Sequence, residues 1–210
     1  RLKKNGSKFS YRKVKNKSKK VYEANITIFD ALKKSDTDPN GKFFLERYIA
    51  AHAIMISFEG VPAIYFNSLF GKSNDEAKYV ITGNNRDINR YKWSYENITK
   101  KLNNKNSKQS IFYQNLGKLL EIKRKQKAFH PNAKRLNINL GSKIFCYERI
   151  SLDKKQTIIC ITNLSTKLQY IKIHKNLVKY RDLIGRKIFF TLDKKIKLDH
   201  HSNATRTLGL

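Results

Sequence analysis

The stretch Asn84-Asn85-Arg86-Asp87-Ile88-Asn89-Arg90 sets two guanidiniums, one carboxylate and three amides within seven residues. That chemistry suits a polar, oxygen-rich ligand. A guanidinium donates several hydrogen bonds in a fixed planar fork to hydroxyl or phosphate oxygens, whereas a lysine offers a flexible point charge. Asp87 is placed to orient Arg86, and Asn89 and Arg90 read as supporting residues. A second polar cluster, Ser73-Asn74-Asp75, follows Gly71, and such small polar residues permit a tight backbone path close to a ligand. The plain alternative for both stretches is a solvated surface loop.

The elements around these clusters follow from local pattern. Val61-Pro62-Ala63-Ile64-Tyr65-Phe66, entered through Gly60, is a short apolar and aromatic run that predicts a buried parallel strand leading into the Ser73-Asn74-Asp75 loop. Asp36 to Gly41 (DTDPNG) is turn chemistry, because Pro39 fixes φ and Asn40-Gly41 admit positive φ. Lys42 to Phe58 is apolar on nearly every side and predicts a mostly buried helix. On it, His52 lacks a second metal-binding side chain at i+4 and reads as a packing residue. Ser107 to Lys127 predicts an amphipathic helix with Phe112, Leu116, Leu119 and Leu120 on one face and basic residues in its last turns. Lys8 to Val14 predicts a short strand.

From Ala133 onward the period switches to two, with runs at Leu136–Leu140, Lys143–Ile150, Gln156–Asn163, Leu168–His174 and Lys187–Leu192. That spacing predicts a small antiparallel β-sandwich. Gly185-Arg186-Lys187 marks a turn, and the adjacent His200 and His201 point to opposite faces of any strand, so they form no metal pair by themselves. The tail Ser202 to Leu210 reads as a frayed end or a disturbance of the reading frame.

Composition sets bounds. A chain of 210 residues with 40% hydrophobic content can bury a core, as one domain or two small ones. The net charge of +29 would by itself raise a nucleic-acid or anionic-membrane reading. The lysines are scattered over the whole chain among many Asn and Ile, which fits an AT-biased coding sequence better than a selected basic face. The basic segment Arg1 to Lys20 carries few aromatics and reads as a flexible loop, with a nucleic-acid arm as the alternative. Cys146 and Cys160 lie in apolar alternating segments without metal spacing, so we expect reduced core thiols. Sequons such as those at Asn25, Asn97, Asn163 and Asn203 are what chance yields in an Asn-rich chain. No signal peptide and no apolar run of ~20 residues is visible, so a cytoplasmic protein is expected.

Taken in order, Val21-Tyr22-Glu23-Ala24-Asn25, Arg47-Tyr48-Ile49-Ala50-Ala51-His52-Ala53, Gly60-Val61-Pro62-x-Ile64-Tyr65, Gly71-Lys72-x-Asn74-Asp75, Asn85-Arg86-Asp87-Ile88-Asn89-Arg90 and Ala128-Phe129-His130-Pro131-Asn132 resemble sucrose phosphorylases, glycoside phosphorylases of the α-amylase superfamily. The resemblance covers roughly the first 130 residues well and the rest weakly. It implies that residues 1–131 are the C-terminal part of a (β/α)8 barrel with a loop insertion, and that residues 132–210 are a C-terminal β-sandwich domain. A barrel alone takes about 250 residues, so a longer parent protein is expected.

The resemblance also implies roles. Arg86 takes the place of the arginine that helps hold the glucosyl unit, and Tyr22 and Glu23 fall in a mobile loop over the acceptor side of the pocket. A tyrosine there can hydrogen-bond phosphate or the leaving sugar and close the site against water. Sucrose-specific members carry Gln where this chain has Glu23, which puts fructose as the partner sugar in doubt, because the exchange removes a donor and adds charge. Retaining glucosyl transfer needs a carboxylate nucleophile and a carboxylic acid about 5 Å apart. In the family these residues and a third carboxylate lie on barrel strands upstream of the matched stretches. No catalytic residue is therefore expected in this chain, and no activity of the 210 residues alone. The implied partners are a sucrose-like α-glucoside and phosphate, with a homodimer as the assembly, no cofactor, no metal, no membrane and no nucleic acid. A hydrolase or transglycosylase of the same superfamily is the alternative, with a basic nucleic-acid-binding or degenerate protein as the second.

Overall fold

A computed structural model of the chain describes residues 1–14, 18–172, 179–184, 188–190, 196–198 and 206–209. It opens with an antiparallel hairpin, β1 (Lys8–Lys13) and β2 (Lys19–Asn25), and a short helix α1 (Ile28–Lys33) whose first turn is capped by Thr27, the hydroxyl accepting from the Asp30 amide. The DTDPNG turn follows as read, with the Asp38 carboxylate accepting from the amides of Lys42 (2.8 Å) and Phe43 (3.0 Å). Gly41 sits there at φ +69°, and a side chain on it would run into the Lys33 carbonyl 2.6 Å away. Next come α2 (Phe44–Ser57), α3 (Phe66–Leu69), α4 (Glu76–Thr82), a 3-10 turn (Asn85–Asn89), α5 (Tyr95–Asn103) and α6 (Lys108–Lys125). Side-chain oxygens of Asp75, Asn84 and Ser94 cap three of these segments by accepting from the first free amides.

The sequence's long helices form where expected. In α6, Phe112, Leu116 and Leu119 are buried at spacings of four and three residues. In α2, His52 is buried and its Nδ1 lies 2.9 Å from the Tyr48 carbonyl oxygen, one turn back. A carbonyl only accepts, so Nδ1 carries the proton. This is the packing role read from the sequence.

The run Val61 to Phe66 departs from expectation. It belongs to no sheet among the described residues, and Phe66 already opens α3. Val61 is 82% exposed and Tyr65 56%. A buried parallel strand needs hydrogen-bonded neighbours, and the described residues supply none, so an apolar run with strand composition is left as extended coil.

The chain divides into two compact units, Arg1–Phe44 with Ile64–Gln114 and Leu45–Ala63 with Asn115–Leu210. Beyond a 3-10 turn (Lys127–Phe129), the second unit holds the period-two region as β3 (Lys134–Asn139), β4 (Ile144–Ile150), β5 (Thr157–Asn163), β6 (Gln169–Ile171), β7 (Lys179–Asp182), β8 (Ile188–Phe190), β9 (Ile196–Leu198) and β10 (Arg206–Gly209). Six of these make one antiparallel sheet in the order β3-β4-β5-β10-β7-β8, and β6 pairs with β9. The two faces of β4 and β5 bury different sets: Cys146, Ile159 and Ile161 pack with Ile171 and Leu198, while Tyr147, Ile158 and Cys160 pack with Ala128 and Phe129. Period-two patterning therefore places the two free thiols on opposite faces.

Part of the tail, read as frayed, is a strand. β10 pairs with β5 (Arg206 opposite Ile161, Gly209 opposite Ile158) and with β7, so it sits inside the sheet. Its four residues are too short to show a period, and the β5 edge that recruits it is invisible in the local pattern. Gly185-Arg186-Lys187, His200, His201 and the sequon at Asn203 lie outside the described residues.

In the second unit Arg149 is fully buried, donating to the carbonyls of Ser57 (2.7 Å), His130 (2.8 Å) and Ala133 (3.3 Å). One guanidinium thus satisfies the end of α2 and the turn before β3, where helix-terminal carbonyls would otherwise be orphaned.

Candidate functional site

The first unit gathers most of the residues singled out by type. In the hairpin, Ser10 pairs with Glu23 and Tyr11 with Val21, so Tyr22 is the extra residue of a β-bulge. A bulge bends its strand and re-aims the side chains beside it. Here it leaves Tyr22 exposed and turns Glu23 toward the Asn85–Asn89 turn.

That turn is pinned on several sides. Asn84 accepts from the Arg86 amide (3.1 Å), and Asn85 Nδ2 donates to the Phe9 carbonyl (3.0 Å) and to Ser10 Oγ (3.3 Å), the residue opposite Glu23. Ile88 is fully buried and its carbonyl accepts from the Asp75 amide (2.7 Å), while Asn89 Nδ2 reaches the Ile26 carbonyl (3.5 Å). The guanidinium of Arg86 is thereby held against β2, with Nε 3.0 Å from Glu23 Oε2. Its pKa is raised above the ordinary arginine value, first by the hydrogen bond to Glu23, then by that carboxylate's charge, with Tyr22 adding to both.

Asp87 does not orient Arg86, contrary to the reading from adjacency. It faces Lys78 Nζ at 3.6 Å, because successive residues of a tight 3-10 turn point about a third of a turn apart. Asn74 and Asp75 are braces. Asn74 Oδ1 accepts from the Thr27 amide (2.9 Å) and hydroxyl (3.2 Å), and its own amide donates to Asp30 (2.6 Å), while Asp75 caps α4.

Glu23, Arg86, Asn89 and Arg90 line a pocket of about 260 Å³ together with Ile26, Thr27, Ile28, Tyr65, Asn67, Ser68 and Lys72. Tyr22 stands beside it, linked through Arg86. Sequence reasoning did not single out Tyr65, Asn67, Ser68 or Lys72. Asn67 is buried, giving a hydrogen bond to the Tyr91 carbonyl (3.0 Å) and taking one from Trp93 Nε1 (2.9 Å). Its place directly after the apolar run was the available signal. Lys72 stood in the Gly71-Lys72-x-Asn74-Asp75 motif with no role assigned to it, one of 45 basic residues.

A larger cavity of about 680 Å³ lies in the second unit, lined by Val61, Pro62, Leu120, Leu152 and a basic series from Lys123 to Lys127. It holds none of the residues chosen by type. The smaller pocket combines fixed donors, acceptors and opposed charges in a concave site, which is what recognition of a hydroxyl-rich or anionic small molecule needs.

No family model matches the chain. Among curated proteins, it is 33% identical over 174 residues to the glucosylglycerate phosphorylase of Escherichia coli, a match covering 80% of this chain and 30% of that one. It is also 32% identical to the glucosylglycerate phosphorylase of Spirochaeta thermophila, over 69% of this chain and 24% of that one. The chain is a relative of these glycoside phosphorylases. A sucrose phosphorylase of Agrobacterium vitis matches a shorter part, 37% identical over 34% of this chain and 13% of the other. The chain spans about 30% of the length of the first of these relatives, in the C-terminal part.

Solved structures agree on the fold. The sucrose 6F-phosphate phosphorylase of Thermoanaerobacter thermosaccharolyticum superposes with a TM-score of 0.62 at 20% identity, over 93% of this chain and 34% of that one. The maltose complex of AmyP gives 0.64 at 16% identity, over 81% and 36%. Among the described residues no helix is long and apolar enough to cross a membrane.

Proposed function

We propose that this chain is the acceptor-side and C-terminal portion of a retaining enzyme that transfers an α-glucosyl unit between a small α-glucoside and phosphate. The observation that carries the reading is the match of 80% of the chain to a glucosylglycerate phosphorylase. The pocket supports it: three cations, Lys72, Arg86 and Arg90, face one carboxylate, Glu23, so an anionic reactant is favoured over a neutral one. In this reading residues 1–131 complete a (β/α)8 barrel and supply Tyr22, Glu23 and Arg86 to the pocket, with Asn89 and Arg90 beside them on its lining. The two carboxylates of the chemistry come from the preceding part of the barrel, so the 210 residues alone are inactive.

Glucosylglycerate is the leading substrate, since Glu23 departs from the sucrose-specific pattern and the glucosylglycerate phosphorylases match the greater part of the chain. Sucrose is the second reading, favoured by the local 37% match to a sucrose phosphorylase.

The test is the intact mass of the native polypeptide in its source cells, followed by assay of that purified protein with glucosylglycerate and with sucrose, each with and without phosphate. We expect a mass well above that of these 210 residues and phosphate-dependent release of glucose 1-phosphate from glucosylglycerate. Phosphate-independent release of glucose would make the protein a hydrolase. A native polypeptide of only 210 residues would remove the enzyme reading altogether.

A further inference from the structure

The pocket's three cations are not equivalent. Arg86 is already matched by Glu23 at 3.0 Å. Lys72 has no carboxylate within ion-pair distance among the described residues. It is nevertheless held in place. Its backbone amide donates to the Asn67 carbonyl (3.1 Å), and it follows Gly71, which is fixed at φ +56° against the Phe112 ring. Its ammonium lies 4.1 Å over the ring of Tyr91, whose backbone carbonyl is bound by Asn67 and whose ring packs edge-on against Trp93 at 4.9 Å.

A solvated surface lysine pays rotamer entropy to meet an anion. This one is ordered beforehand, and an aromatic face supports its charge without consuming its hydrogen-bond donors. The ammonium therefore keeps N–H groups free for an oxyanion in the pocket, with Arg90 as a second cation on the lining.

We propose that Lys72 is a specificity-determining residue that binds the anionic group, carboxylate or phosphate, of a small reactant in this pocket, and that Tyr91 positions it. The choice of probes rests on the phosphorylase reading above; the binding geometry does not. The test measures equilibrium binding of D-glycerate, its neutral analogue glycerol and inorganic phosphate to the purified native protein at low ionic strength.

An oxyanion should bind at least about tenfold more tightly than glycerol, a factor that corresponds to one charge-assisted hydrogen bond. Lys72→Gln should remove that advantage, Lys72→Arg should keep most of it, and Tyr91→Leu should weaken it severalfold while the fold is retained. Lys100→Gln, an exposed lysine on α5, serves as the control for bulk charge and should change nothing. Binding of glycerate alone assigns Lys72 to the leaving group's carboxylate, binding of phosphate alone assigns it to the acceptor, and mutual competition assigns one shared oxyanion site.

Wild-type affinity in Lys72→Gln, or equal binding of glycerol and both anions, would overturn the inference. In the native protein, Lys72→Gln should raise KM for the anionic reactant with little change in kcat. Lys72-dependent anion binding without phosphorolysis would sink the phosphorylase reading and leave this one standing. Phosphorolysis with unchanged KM in Lys72→Gln would do the reverse.

Discussion

Arg86 and Glu23 form a half-exposed pair, and such pairs contribute little to stability, so their value lies in what they do to the pocket. Glu23 holds the guanidinium at the wall and offsets one of three positive charges. Glu23→Gln keeps an oxygen that can accept from Arg86 Nε but deletes the charge, so anion affinity should rise severalfold with an unchanged melting temperature. Arg86→Lys keeps the charge and loses the planar fork. Ligand affinity should fall roughly 10- to 100-fold, the range expected for one or two lost charge-assisted hydrogen bonds. Titration of both variants with phosphate checks the pair, and a fall in affinity for Glu23→Gln would show that the carboxylate itself contacts ligand. Proximity in sequence misled on Asp87, because a 3-10 turn sends neighbouring side chains in different directions, and only the fold shows that Lys78 receives it.

At the scale of the elements, the site depends on two local irregularities. One is the Tyr22 bulge, which no hydrophobic pattern announces. The other is the left-handed Gly71 between α3 and the Asn74-Asp75 brace. A Cβ at Gly71 would sit 2.5 Å from the Phe112 ring, and its φ of +56° disfavours any L side chain. Gly71→Ala should cost about 1–3 kcal/mol of stability from overpacking and strain. It should also weaken anion binding by displacing Lys72, and paired denaturation and binding measurements test both effects. Loss of stability with unchanged binding would mean that Lys72 is placed independently of Gly71. The Val61–Tyr65 run teaches the complementary lesson: strand composition was legible, but a ladder requires partners that the described residues lack.

At the scale of the whole molecule, burial decides which groups are chemically available. Desolvation pushes both thiols up to about 12, with Cys160 and then Glu148 adding to the effect on Cys146. At pH 8 both should resist thiol-specific reagents in the folded chain and react promptly in denaturant. Fast labelling of the native chain at either cysteine would contradict its placement in the sheet.

Burial lowers the pKa of His52 below 6.5, against the opposing hydrogen bond to Tyr48. The unfolded chain then takes up a proton at a pH where the folded chain does not, so stability is complete above pH 6.5 and falls as the pH drops through the window below it. Comparing denaturation midpoints at pH 7.5 and 5.5 should show that fall, and His52→Gln should flatten it. The depressed carboxyls of Glu59 and Asp153, held down chiefly by hydrogen bonds from Arg135 and Ser151, lose their stabilisation only below their ordinary values of 4.5 and 3.8. They act in a lower window and do not mimic the histidine.

What the sequence determined by itself was local and periodic. The two long helices follow from apolar spacing, β3 to β5 from alternation, the Asp36–Gly41 turn from Pro and Gly chemistry, and the kinship from ordered short motifs. Those signals live within a few residues of one another, where propensity and pattern act. Only the tertiary structure decided that Glu23 answers Arg86 across 63 positions, that Asn67 and Lys72 belong to the same pocket, and that a four-residue tail strand enters the sheet beside β5. Each of these is a pairing between distant segments, set by which groups need a hydrogen-bond partner or a counter-charge once the chain is packed.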